Sequence, residues 1–294
     1  MKFRASVAEG KMLLSAVSVM DRCCKHCVIH FTASGLTLAA QSDSSESPRI
    51  WSSIPKALVF SDYVCESMNN NEIGLYVQTS NLLRALKSAD SASEVSIRLR
   101  KKDGTPILCF EIQILTPQIM SISHDLPVDL LNPDQLNLYR EPGISVPLVQ
   151  VLCPPVRLLK KAFDRMKSVS SIVTITVSHN GELSFTAESD TTQIGCHFNQ
   201  LEHPPLKDGA SQSLQSSSEA IHVVHMESKL WQKVFYLERL PLTHVMLCLL
   251  EGRTAVMYAL MQESQGTLVV SMHLPTRIIS DDGEAADEYG SSSD

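Results

Sequence analysis

No apolar run in this chain approaches the roughly 20 residues that a membrane-spanning helix needs, so a helical membrane protein is not expected. The opening MKFRASVAEG carries charges inside a strand-like pattern and lacks the apolar stretch of a secretory leader. The chain is therefore expected in the nucleus, or in the cytoplasm when unassembled. Eight cysteines, at 23, 24, 27, 65, 109, 153, 196 and 248, show no framework spacing, and in a reducing compartment they read as thiols. No P-loop, glycine-rich nucleotide motif or H-E-x-x-H occurs, so the common phosphate-binding and zinc-protease signatures are missing. Neither catalysis nor a cofactor is expected. With 44% hydrophobic and 19% charged residues over 294 positions, the chain can bury two cores.

What is present is a fourfold repeat. An apolar helical run starts at Leu13, Leu82, Leu158 and Leu230, and a turn glycine follows each at Gly35, Gly104, Gly181 and Gly252, giving helix-to-turn distances of 22, 22, 23 and 22 residues. The copies start 69, 76 and 72 residues apart, too long for common solenoids, so a supersecondary unit joined twice per domain is expected. The helical stripes read Leu13, Leu14, Val17, Met20; Leu82, Leu83, Leu86, Ala89; Leu158, Leu159, Ala162, Met166; and Leu230, Trp231, Val234, Leu237. Such spacing buries one face of each helix. Alternating strands Cys27 to Thr32, Val95 to Arg100, Ile172 to Val177 and Val245 to Leu250 lead to the turns, of which Asp103-Gly104 and Asn180-Gly181 are strong hairpin signals. Before the helices, the sets Phe3, Ala5, Val7; Ile73, Leu75, Val77; Ile144, Val146, Leu148; and Ile221, Val223 are expected to point inward. The fold class is α+β, with helices on one sheet face.

Domains are expected at 1–127 and 143–279, with a linker at 128–142 containing Asn132-Pro133 and Pro142. Pro204 to Ser218 is expected to be a mobile loop. The acidic stretch 280–294 has no basic residue and is expected to be disordered.

Charge placement carries the functional signal. The windows Gly10 to Lys25, Asn81 to Asp90, Arg157 to Ser168 and Ser228 to Arg239 hold 13 of 25 basic residues and four acidic ones, a charge of +9 in a chain of net −7, which leaves −16 elsewhere. Arg22, Lys25, Arg84, Lys87, Arg157, Lys160, Lys161, Arg165, Lys229 and Lys233 are the candidate contacts. Lysine and arginine favour helices, so one basic helix needs no ligand. Four with the same bias on an acidic chain point to a polyanion held through its phosphates.

Other readings are weaker. Cys23, Cys27 and His30 have spacings that raise a zinc-dependent enzyme as a different class, but the segment runs from a helix end into a strand whose side chains alternate, and no second pair is near. Adjacent His124 and Asp125 face apart on a strand and suggest no base with its orienter. Arg98, Arg100, Lys101 and Lys102 flank a hairpin tip and read as a solvated tip rather than a nuclear-localisation patch.

Basic helices inside and sheets outside, in repeated strand-helix-meander units, resemble the plan of sliding DNA clamps of the proliferating cell nuclear antigen type. MKFRA, Asn70 to Ile73 leading into Leu82 to Ala89, His124-Asp125-Leu126-Pro127, and Phe198 to Leu201 leading to Pro204-Pro205-Leu206 are similar to the Hus-one family of the nine-one-one checkpoint clamp, in a consistent order from Met1 to about Pro275. The tail beyond Arg277, the linker and the Pro204 to Ser218 loop depart from the family pattern. The resemblance implies a heterotrimeric ring with two related subunits, placed by a clamp loader on DNA without sequence specificity at damage sites, recruiting checkpoint and repair proteins. It also implies a docking groove beside the linker, where Leu126, Leu130, Leu131 and Leu136 are candidates. A homotrimeric replicative clamp is the alternative within the same plan.

Overall fold

The computed structural model describes residues 1–41, 47–115, 119–144, 146–204, 220–251 and 254–277. The acidic tail, nearly all of the 204–218 loop and Gly252 fall outside them. The first repeat comprises β1 (Lys2–Val7), α1 (Lys11–Cys23), β2 (His26–Phe31), β3 (Gly35–Ala40) and β4 (Arg49–Pro55), followed by the short α2 (Lys56–Val59) and β5 (Phe60–Glu66). The second comprises β6 (Ile73–Gln78), α3 (Thr79–Ala89), β7 (Glu94–Lys102), β8 (Thr105–Leu115) and β9 (Ile119–Pro127). A linker contributes β10 (Asp129–Leu131) and α4 (Pro133–Asn137). The third repeat is β11 (Val149–Leu152), α5 (Val156–Met166), β12 (Ile172–Ser178), β13 (Leu183–Glu188) and β14 (Gln193–Phe198). The fourth is β15 (Ile221–Glu227), α6 (Ser228–Val234) with a 3-10 turn over Phe235–Arg239, β16 (His244–Leu250), β17 (Thr254–Glu263) and β18 (Gly266–Leu274).

The repeats are interlocked rather than side by side. Each repeat's first strand leaves its own meander and pairs with its neighbour's: β1 with β7, β6 with β2, β11 with β16, and β15 with β12. The sheets run β5-β1-β7-β8-β9, β10-β6-β2-β3-β4-β18-β17-β16-β11, and β14-β13-β12-β15. Because the pairs of consecutive repeats exchange strands, neither member of a pair buries its apolar stripe alone. By contacts the chain forms two units, one of Met1–Gly143, Lys233–Val245 and Met257–His273, the other of Ile144–Gln232, Met246–Val256 and Leu274–Asp294. The first break at Gly143 lies beside the expected end of the linker, while two segments of the fourth repeat group with the first unit.

Packing, more than capping, sets the helices. None of α1, α3 and α5 has a side-chain hydrogen bond at its N-cap, so their stability rests on burial of one face. In α1 that face is Met12, Leu13, Ala16, Val17 and Met20, and in α3 it is Leu82, Leu83, Ala85 and Leu86. Each such leucine or valine contributes about 1.5–3 kcal/mol when fully buried. At the second turn, Asp103 (φ 51°) and Gly104 (φ 83°) are both left-handed, the conformation a two-residue hairpin loop requires.

Three expectations about facing are corrected. In α5 the buried set is Val156, Leu159, Phe163 and Met166, whereas Leu158 is 48% exposed. Counted from Leu159, the distance to Gly181 is 22 residues, as in the other three copies, so the apparent one-residue insertion disappears. The strand before α5 starts at Val149, and Val146 and Leu148 are exposed while Val149 and Val151 are buried. In β15 the inward residues are Val224 and Met226, and Ile221 and Val223 face solvent. A one-residue slip inverts a strand's faces, and β-branched residues on both faces conceal that slip in the sequence.

Candidate nucleic-acid interface

Each helix presents basic residues on the side opposite its buried stripe. In the first unit, α1 packs on α3, and Arg22, Lys25, Arg84 and Lys87 are exposed. Lys233 differs: it is half-buried, its Nζ donates to Ser47 Oγ at 3.1 Å, and it lies near the Cys23 thiol. In the second unit, α5 meets α6 through Phe163 stacked on Trp231, with centroids 4.6 Å apart. There Arg157, Lys160, Lys161, Arg165 and Lys229 are exposed, and Lys167 pairs with Asp164 at 2.7 Å. Nine of the ten candidate cations are thus solvent-exposed, and Lys233 is half-buried. Exposed ammonium and guanidinium groups can meet phosphates without reading bases.

Hairpin cations behave differently. Arg100 pairs with Glu111 at 2.6 Å and Lys102 with Asp125 at 2.8 Å, so the β7-β8 tip is internally compensated. His124 and Asp125 do face apart, His124 Nε2 lying 3.0 Å from Ser88 Oγ.

The zinc reading meets a geometric obstacle. On β2, Cys27 faces the helices, where burial pushes its thiol up to about 12 and the Thr79 hydroxyl partly opposes this. His30 faces the other side, 3.3 Å from Glu72. The Cys23 thiol is likewise pushed up to about 12, chiefly by burial. Among the described residues no group of three or more histidine, cysteine or acidic side chains is arranged for a metal.

The four candidate groove leucines do not form one surface. Leu136 is buried against Val28, Ala39 and Trp51, with Leu131, Tyr76 and Tyr139 around it. Leu130 is 40% exposed on β10, and Leu126 is buried on β9 in another sheet. The linker is strapped down at several points. Asn132 and Gln135 form a capping box on α4, Trp51 Nε1 donates to the Tyr139 carbonyl at 2.8 Å, and Arg140 pairs with Glu72 at 2.8 Å. His273 lies 3.3 Å from Glu141. Beneath the strap is a cavity of about 220 Å³ bounded by His30, Thr37, Ser53, Leu136 and Tyr139.

A ring plan implies unpaired outer strands, but sequence reasoning did not say which strands they are. β4 and β18, the last meander strands of the first and fourth repeats, pair antiparallel from Ser53 opposite Val269 to Arg49 opposite His273. Their counterparts in the second and third repeats, β9 and β14, are sheet edges among the described residues. The signal was the repeat itself: four equivalent strands, of which two are used within the chain.

A family profile described as "Hus1-like protein" matches residues 1–276. The checkpoint protein hus1 homolog of Dictyostelium discoideum is 30% identical over 281 residues, covering 95% of this chain and 99% of that protein. The checkpoint protein hus1 of Schizosaccharomyces pombe is 23% identical over 289 residues, covering 95% and 100%. In fold, the crystal structure of PCNA from Thermococcus kodakaraensis superposes with a TM-score of 0.63 at 17% identity, covering 94% of this chain and 100% of the other.

Proposed function

Because the chain belongs to the Hus1-like family, we propose that it is a subunit of a checkpoint DNA clamp, closed into a heterotrimeric ring with two related clamp subunits. The observation that carries this reading is the β4-β18 pair. It joins equivalent strands of the first and fourth repeats, and the free edges β9 and β14 are the same strands of the second and third. Repeating the internal junction between chains, β14 of one subunit beside a β9-like edge of the next, removes the unpaired edges and closes a ring by heterologous contacts.

DNA is the polyanion of this proposal. The exposed cations of α1, α3, α5 and α6 supply phosphate contacts that need no base recognition, and ring closure supplies retention. The chain acts as a scaffold that receives its loader and its checkpoint and repair partners on outer surfaces, and nuclear residence follows from work on DNA.

Co-expression with the two clamp partners tests the assembly. One 1:1:1 species is expected, and replacing His197, whose amide points away from β13 to the open edge of β14, by proline, which removes that donor, should abolish it. A stable homotrimer of the chain alone by light scattering would instead support a homotrimeric replicative clamp.

A further inference from the structure

The β4-β18 joint inside the chain shows how a finished edge is sealed on its helix side. There the inward residues of β4 are Ile50, Ser52 and Ile54, and those of β18 are Leu268, Val270 and Met272, all of them buried. The register sets Val270 opposite Ser52 and Met272 opposite Ile50. Helix α1 also touches the 3-10 turn of the fourth repeat, and Met12 lines one cavity with Pro241 and Ser264 of that repeat. Two inward rows and a helix contact close this seam.

The free edges map onto this joint residue by residue. Thr79 N donates to the Lys25 carbonyl at 2.9 Å and Ser228 N to the Ser171 carbonyl at 2.8 Å, which matches Tyr76 with His225, three positions earlier. Following the strand pairs outward from these two matches Val28 with Thr174, Ala39 with Thr186 and Trp51 with Gly195. On β14, therefore, Ile194, Cys196 and Phe198 take the places of Ile50, Ser52 and Ile54. They are only half-buried, and Phe198 packs edge-on against Phe185 of the core. Leu158, one residue before Leu159, takes the place of Met12 and is exposed where Met12 is buried. On β9 the shared ending, Leu126-Pro127 and Leu274-Pro275, matches Met120, Ile122 and His124 with Leu268, Val270 and Met272. Met120 is 47% exposed, whereas Leu268 is fully buried.

One of these counterparts is of a different kind. Where Met272 is buried opposite Ile50, β9 carries His124, whose Nε2 lies 3.0 Å from Ser88 Oγ. Joined in the same register, β9 of a second copy would set Ile122 opposite Cys196 and His124 opposite Ile194. Ser88 engages one of the two ring nitrogens, and closing an apolar seam over the ring takes water from the other, which costs free energy that a methionine would not. Resting on the ring reading above, we propose that the helix side of β14, together with Leu158, seats the apolar edge row of a partner clamp subunit, and that His124 keeps this chain's own β9 from filling that seat. The occupant is defined by its chemistry: an edge strand with an apolar residue at the place of His124, as β18 has Met272. Discrimination then comes from a penalty on the wrong partner as well as from contacts to the right one. The chain's own β9 is left for the second partner.

Sedimentation of the full chain tests the role of His124. His124→Met should associate with itself at least about ten-fold more tightly than the wild-type chain, the size expected when a buried polar group is no longer stranded. His124→Gln should behave as wild type, and adding Ile194→Lys to His124→Met should remove the gain. Capture of the two co-expressed clamp partners tests the seat without relying on that variant. Leu158→Lys and Ile194→Lys should each weaken binding of one partner by at least about ten-fold and leave the other bound. A folded His124→Met chain that associates no better than wild type overturns the proposal, as does a gain that survives Ile194→Lys. Lysine variants that lower the melting temperature yet hold both partners would show that this chain's own residues cover the seat, and overturn it too. Failure of the wild-type chain to bind either clamp partner would instead remove the ring reading itself.

Discussion

One row across each unit's sheet shows how far two copies of a scaffold can diverge. In the first unit Tyr76, Val28, Ala39 and Trp51 lie side by side on neighbouring strands, and the linker covers them with Leu136 and Tyr139. In the second unit the matching row is His225, Thr174, Thr186 and Gly195, and among the described residues it carries no counterpart of Leu136 and Tyr139, the Arg277 bridge pairing with His225 at its edge. Strand pairing is the same, so backbone hydrogen bonding does not depend on the chemistry of this face. Side chains record whether something covers them: apolar beneath a strap, hydroxyl and imidazole where water reaches.

The sharpest way to break the comparison is to empty the covered row. Trp51→Ala removes a 2%-exposed indole and its bond to the Tyr139 carbonyl, and should cost about 3–5 kcal/mol in urea unfolding while raising proteolysis of the linker. Thr186→Ala, in the matching row of the open face, should change stability by less than about 0.5 kcal/mol. Similar costs at both sites would show that the open face is covered in solution.

On the helix side the units should behave alike. Arg84→Glu in the first unit and Lys160→Glu in the second, combined in an assembled ring, should shorten DNA dwell time. For each phosphate no longer engaged, the salt dependence of binding should fall by about one unit of slope. Unchanged dwell and slope would assign DNA binding to the partner subunits.

Acid should separate the units by a smaller amount. Burial lowers the pKa of His30 below its ordinary 6.5, with Glu72 opposing the shift. Burial also lowers that of His179, and there His222 and His203 add to it. A depressed folded-state pKa means the native state binds fewer protons than the unfolded chain. The stability contributed is therefore intact above about 6.5 and lost as pH falls through the folded-state value. His179→Gln should remove more of the acid sensitivity of the melting temperature between pH 7.5 and 5.5 than His30→Gln, and the reverse order would contradict these environments. The smallest effect is expected from ending the chain at Ile279, which removes acidic and small residues together with Tyr289 and should move the melting temperature by no more than about 1 °C.

Much of this was legible in the residues. Three of the four stripes, the Asp103-Gly104 turn and the excess of cations on the helices follow from local rules that act within a few residues. The misreadings share one cause. Leu158 beside Leu159, and Val223 beside Val224, offer two apolar neighbours to one inward position, and only the packed partner selects between them. Lys233 read as one more exposed cation because its acceptor, Ser47, is far away in sequence.

Sequence by itself determined the repeat, the faces of three of the four repeat helices and the family, because spacing, turn chemistry and short motifs are local and additive. Only tertiary structure decided which strands exchange between repeats, which sheet faces are covered and which edges stay open. Those outcomes depend on contacts between residues tens to hundreds of positions apart, whose loop-closure cost and shape complementarity no local pattern encodes.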